Sequence, residues 1–151
     1  MPAHVRCSEL AMAVLRQACH AAWPREACGL LAGHRDGHQV AVARFVALPN
    51  VAPGCITFAV APHAFAAAAA VVPASGLELL GFAHSHPDGC ATPSAADLRQ
   101  LWPHCVQLIA AITEAGTMTT GAFWLHAGAA VPLPLTVPPS GSAPMPGSRA
   151  R

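Results

Sequence analysis

Two histidines one residue apart, His84 and His86, close the apolar run at residues 77–83, and Pro87-Asp88-Gly89 follows them. That run reads as a buried strand. Side chains two apart on a strand share a face, so the two imidazoles can point at one centre and suit a zinc ion. Proline cannot donate to a ladder and Asp-Gly is turn chemistry, so the strand is expected to stop where its histidines emerge. Thr92-Pro93 then reads as a helix N-cap and first helical residue, with a helix running to about Trp102, since Pro103 disfavours a helical residue before it. Ser94 and Asp97 fall three apart on one face of that helix, and Asp97 is the natural third ligand. Taken alone, Ser94-x-x-Asp97 is also a plausible capping box, and a lone His-x-His is often an accident. It is the combination that points to a metal. Cys90 lies between the ligands, but a catalytic zinc keeps its fourth position for water, so Cys90 is not assigned as a ligand.

These residues resemble the signature of the JAMM or MPN-plus metallopeptidases: His-x-His-Pro, a short loop, then Ser-x-x-Asp, with a separate upstream glutamate. The family's Pro-x-Glu-x-Cys-Gly segment has its counterpart in Pro24-Arg-Glu-Ala-Cys-Gly29, which makes Glu26 the matching position. A weaker family feature, an Asn followed by a Phe ahead of a helix, matches Asn50 and Phe58. The resemblance extends over residues 5–125. It implies an α/β sandwich of the cytidine-deaminase-like type, one zinc ion on His84, His86 and Asp97, and hydrolysis of peptide or isopeptide bonds. It makes Glu26 the general base and lets Ser94 stabilise the negative charge that develops on the carbonyl oxygen. The substrate it implies is a ubiquitin-like or sulfur-carrier protein, cut after its C-terminal diglycine. The chain has little room for the insertions of linkage-selective deubiquitinases, which favours a minimal member of the family. The alternatives are a non-catalytic MPN scaffold and a RadC-like protein, which shares the histidine stretch but not the Glu26-Ala-Cys-Gly segment. A zinc deaminase needs His-x-Glu and Pro-Cys-x-x-Cys, and neither occurs.

The elements that must position these residues follow from pattern. With 151 residues and 54% hydrophobic content, one domain with an ample core is expected. Charged residues make up 10% and the formal net charge is +1, so there is no basic field for nucleic acid. Lysine is absent, which removes it as a catalytic candidate. Residues 66–72 are apolar but far too short for a membrane span, and no secretory signal is apparent, so the cytoplasm is the expected compartment. The six cysteines show no Cys-x-x-Cys spacing and are expected to be reduced. Nothing in the sequence sets an oligomeric state.

In chain order, Ser8 should cap a helix reaching about Ala22, with Leu10, Val14 and Ala18 along one face. Residues 28–32 read as a buried strand with Glu26 at its mouth. Arg35-Asp36-Gly37-His38 is hairpin chemistry, and residues 39–48 return as a strand. A loop at 49–54, a short strand at 56–60 and an alanine-rich helix at 62–72, ended by Pro73 and Gly76, precede the central motif. Strands at 106–112 and 118–125 follow it, around a Glu114-Ala-Gly116 turn. Six of the fifteen prolines lie from Pro132 to Pro146, and residues 138–151 read as a disordered tail after a domain at 1–137. The fold class expected is a single-domain mixed α/β sandwich with a curved central sheet flanked by helices.

Overall fold

A computed structural model describes residues 1–87 and 89–140. The elements, in order, are β1 (His4–Cys7), α1 (Glu9–Ala22), β2 (Cys28–Asp36), β3 (Gln39–Leu48), α2 (Pro62–Ala74) and β4 (Glu78–His86). They continue with α3 (Ala95–Gln100), β5 (Val106–Ile112), β6 (Met118–His126), β7 (Ala129–Leu133) and β8 (Leu135–Thr136). All strands join one eight-stranded sheet in the order β7-β6-β5-β4-β2-β3-β1-β8. The mixed α/β architecture with a curved sheet is the one expected. No described helix is long and apolar enough to cross a membrane.

The site-bearing strand β4 lies centrally, antiparallel to β2 and parallel to β5. Its two faces do different jobs. Phe82, His84 and His86 alternate with Ala83 and Ser85, so the two sets point to opposite sides. Phe65 of α2 stacks on Phe82 at 6.3 Å, while Cys19 of α1 shares a hydrogen bond with Ser85. Helices α1 and α2 therefore cover opposite faces, and the histidines emerge on the α2 side. A β-bulge decides this. The β2–β4 pairing passes from Leu31↔Gly81 to Ala32↔Leu79 and leaves Leu80 unmatched. Leu80 and Ala83, three apart, consequently enter the same core cluster. A one-residue slip flips every following side chain, so without the bulge the histidines would face α1. Close approach on the other side of β4 requires glycine: a Cβ on Gly81 would lie 1.9 Å from the Val106 carbonyl oxygen.

Several expectations need correction. The short strand at 56–60 does not form. Asn50 replaces a neighbouring strand, its side chain donating to the Thr57 carbonyl and accepting from the Ala59 amide, and Ile56 is exposed. Helix α3 starts at Ala95 with Ser94 as its cap, so Thr92 is not the N-cap and Pro93 is not the first helical residue. It ends at Gln100 and stops short of Trp102. Helix α2 continues one residue past Pro73, because a proline in the last turn removes little. Strands β1, β7 and β8 escape a reading based on longer runs. Strand β1 is four residues with only Val5 and Cys7 buried, and β7 carries Pro132, tolerated on an edge strand. Most of the expected tail, residues 141–151, lies outside the described residues. Within residues 138–140, the Ser140 amide donates to the Glu9 carboxylate at 2.8 Å.

Candidate metal and catalytic site

Three donors converge where β4 meets the N-terminus of α3. His84 Nε2 lies 3.0 Å from His86 Nε2. Asp97 closes the triangle, Oδ1 at 3.3 Å from His84 Nε2 and Oδ2 at 3.2 Å from His86 Nε2. All three residues are buried, His84 completely. A tetrahedral ion with bonds of about 2.0–2.1 Å holds its ligand atoms roughly 3.3 Å apart, so the donor set and its spacing fit zinc.

Each of the three side chains is aimed by a local device. The capping box of α3 aims the carboxylate: Ser94 Oγ accepts from the Asp97 amide at 3.1 Å, and Asp97 Oδ2 accepts from the Ser94 amide at 2.7 Å. The capping and metal readings of Ser94-x-x-Asp97 are thus compatible in one geometry. His86 Nδ1–H donates to the Cys90 carbonyl at 2.7 Å, so in the neutral ring Nε2 is the lone-pair nitrogen facing the other two donors. His84 is stacked under Phe58 at a centroid distance of 4.8 Å, and its Nδ1 is buried with no partner among the described residues.

The electrostatics follow from the crowding. Burial lowers the pKa of His84, against the opposing pull of Asp97. Burial also works against charged His86, but the Asp97 and Cys90 hydrogen bonds, with the charges of Asp97 and Glu26, outweigh it and raise the pKa to about 9. Burial opposes the Asp97 carboxylate too. Its bonds with both histidines and Ser94 nonetheless hold it well below the usual carboxylate range.

Glu26 is buried and lines a cleft of about 390 Å³ with His86, Ser94, Pro93 and Cys90. Its backbone is tethered, since Asn50 Nδ2 donates to the Glu26 carbonyl at 3.0 Å. The guanidinium of Arg25 binds the Asn50 carbonyl at 3.1 Å and the Ala52 carbonyl. A second, apolar cleft of about 370 Å³ has walls that include Phe58, Phe65, Phe82, Trp102 and Asp97. Sequence reasoning missed this aromatic wall, because its members come from separate elements with no common spacing. It also missed the Cys90 carbonyl as the anchor of His86, since a backbone group carries no sequence signal.

A model of the prokaryotic homologs of the JAB domain matches residues 8–126. The chain belongs to this family. Among its relatives, a probable TtuB-protein conjugate cleaving protease of Thermus thermophilus is 41% identical over 78 residues, 51% of this chain and 49% of the relative. A desampylase of Haloferax volcanii is 34% identical over 87 residues, 57% of this chain and 62% of that protein. The chain therefore aligns with only about half to three-fifths of the length of these curated relatives. The solution structure of a Desulfitobacterium hafniense protein superposes with a TM-score of 0.80 at 28% identity, covering 89% of this chain and 92% of that one. A JAB1/MPN domain protein of Archaeoglobus fulgidus has the same fold, with a TM-score of 0.51 at 18% identity over 88% of this chain and 98% of its own.

All six cysteines are thiols, and burial sorts them. It pushes Cys7 up to about 12 and Cys19 and Cys28 up to about 11. Cys55 and Cys90 are exposed. A water-soluble disulfide reagent is expected to label Cys55 and Cys90 promptly, Cys105 slowly, and the other three only in denaturant. Rapid labelling of Cys28 in the native protein would contradict the packing of β2.

Proposed function

We propose that this chain is a zinc-dependent peptidase or isopeptidase that cuts after the C-terminal Gly-Gly of a ubiquitin-like or sulfur-carrier protein. The observation that carries this reading is the buried His84–His86–Asp97 triangle opening beside the cleft that holds Glu26. The names of the Thermus and Haloferax relatives, a conjugate-cleaving protease and a desampylase, support the substrate class.

His84, His86 and Asp97 would hold the metal. When bound, zinc would supply a Lewis acid that makes water a nucleophile near neutral pH and polarises a carbonyl. Glu26, on the wall of the same cleft, accepts the proton of the attacking water and returns it to the departing amine. The Ser94 hydroxyl, at the rim of that cleft, turns to donate to the carbonyl oxygen as charge develops there. The donors adjoin two clefts, one reached at Asp97 and walled by aromatic rings, the other reached at His86 and holding Glu26.

Protons compete with the metal for His86. Its pKa of about 9 in the metal-free protein means that binding at pH 7 displaces a proton. Apparent zinc affinity is therefore expected to rise with pH, close to tenfold per unit below about 9, and to level off above it. Calorimetry in buffers of different ionisation heat would count the proton. An affinity indifferent to pH from 6 to 8 would contradict the assignment of His86.

The function itself is tested with ubiquitin-like proteins carrying an extension after Gly-Gly. The expected product, read by mass spectrometry, ends at the second glycine. Cleavage elsewhere would contradict the diglycine specificity, and cleavage of no member of a broad panel by zinc-loaded protein would move the reading toward a binding scaffold.

A further inference from the structure

We propose that Ser85, the residue between the two histidines, is a positioning residue that sets where Glu26 stands; the proposal rests on Glu26 being the general base. Ser85 is fully buried and points away from the metal triangle, toward α1. The antiparallel ladder of β2 and β4 ends at Cys28↔His84, so the next facing pair is Ala27 and Ser85. In a continued ladder that pair would exchange two backbone bonds. Only one forms: the Ser85 amide donates to the Ala27 carbonyl at 2.9 Å. The Ala27 amide turns instead to the Ser85 side chain and donates to Oγ at 2.8 Å.

That substitution of hydroxyl for carbonyl has a geometric result. The chain leaves the plane of the ladder at Ala27 with its buried amide satisfied, and Glu26, the next residue back, faces the cleft beside His86. The second tether, from Asn50 to the Glu26 carbonyl, holds the far side of the same peptide. Ser85 and the ligands His84 and His86 are consecutive on one strand. The hydroxyl therefore references the glutamate directly to the strand that carries two of the metal donors.

With Ser85→Ala, the Ala27 amide loses its acceptor or swings to the Ser85 backbone carbonyl, and either change moves Glu26. Zinc content should stay at one per chain, since no ligand is touched. The expected loss is in kcat, roughly 10- to 100-fold with KM little changed, the scale of a misplacement near 1 Å. A residue acting through Glu26 adds nothing once the base is gone. Ser85→Ala combined with Glu26→Gln should therefore match Glu26→Gln alone to within about twofold, in the manner of coupled neighbours. If Glu26→Gln is impaired and Ser85→Ala cleaves like wild type, or if the two losses multiply, the proposal is overturned. A fully active Glu26→Gln protein would instead overturn the general-base reading beneath it. Amide hydrogen exchange supplies a readout independent of activity. In the wild type the Ala27 amide should be protected like that of Cys28, and in Ser85→Ala its exchange should accelerate about 100-fold. Ala27 exchanging at the rate of an open loop in the wild type would overturn the proposal even if the variant cannot be purified.

Discussion

Glu26→Gln is expected to keep about one zinc per chain while hydrolysis falls roughly 10²- to 10⁴-fold, the range for losing a general base. The substitution preserves size and removes the only property the mechanism asks of this residue, a carboxylate able to take and return a proton. It should leave the metal alone because the three donors within 4.8 Å of one another are His84, His86 and Asp97, and Glu26 is outside that group. Folding should survive as well, since the tethers at this point, Asn50 to the Glu26 carbonyl and Ser85 to the Ala27 amide, involve the backbone. Zinc analysis alongside initial rates would separate the two roles. A variant that cleaves at the wild-type rate removes Glu26 from the chemistry, and one that arrives without zinc makes it a ligand.

His84→Ala, in contrast, should lose metal and activity together. Its imidazole supplies one of three donors, and a pair of protein ligands cannot hold a catalytic zinc against a chelator. The change also deletes a fully buried ring packed against Phe58, so some stability should go with it, on the order of 2 kcal/mol or more for a large-to-small core substitution. The stability cost makes the melting temperature a necessary companion measurement. Retention of one tightly held zinc in a folded His84→Ala protein would show that the donors lie elsewhere.

Much of this candidate site is legible in the sequence, for a physical reason. The strand period places His84 and His86 on one face and the first helical turn places Ser94 beside Asp97, so local geometry does most of the assembly. Glu26 is different. It is 58 residues from His84, and only its resemblance to a family segment brought it forward. Strand lengths for β3 and β5 were legible because each is a long apolar run bounded by turns. Helix α3 starts two residues later than its sequence predicts, because Thr92-Pro93 and Ser94 both carry cap chemistry and only the reciprocal bonds with Asp97 decide between them. The bulge at Leu80, which decides which helix the histidines face, has one sequence signal, Gly81 inside an apolar strand, and a reading of residues 77–83 as one unbroken run passes over it. The expected strand at 56–60 failed because a side chain, Asn50, competes for the backbone groups a partner strand would have used.

The dependence of cleavage on zinc at His84, His86 and Asp97 can be measured by one titration. Protein stripped with a chelator would be returned to zinc in steps, and cleavage of a Gly-Gly-extended ubiquitin-like fusion followed at each step. The expected result is no cleavage at zero zinc, a linear rise, and a plateau at one equivalent per chain. Cleavage by the stripped protein at the rate of the zinc-loaded one would contradict the claim that His84, His86 and Asp97 hold the metal this chemistry needs.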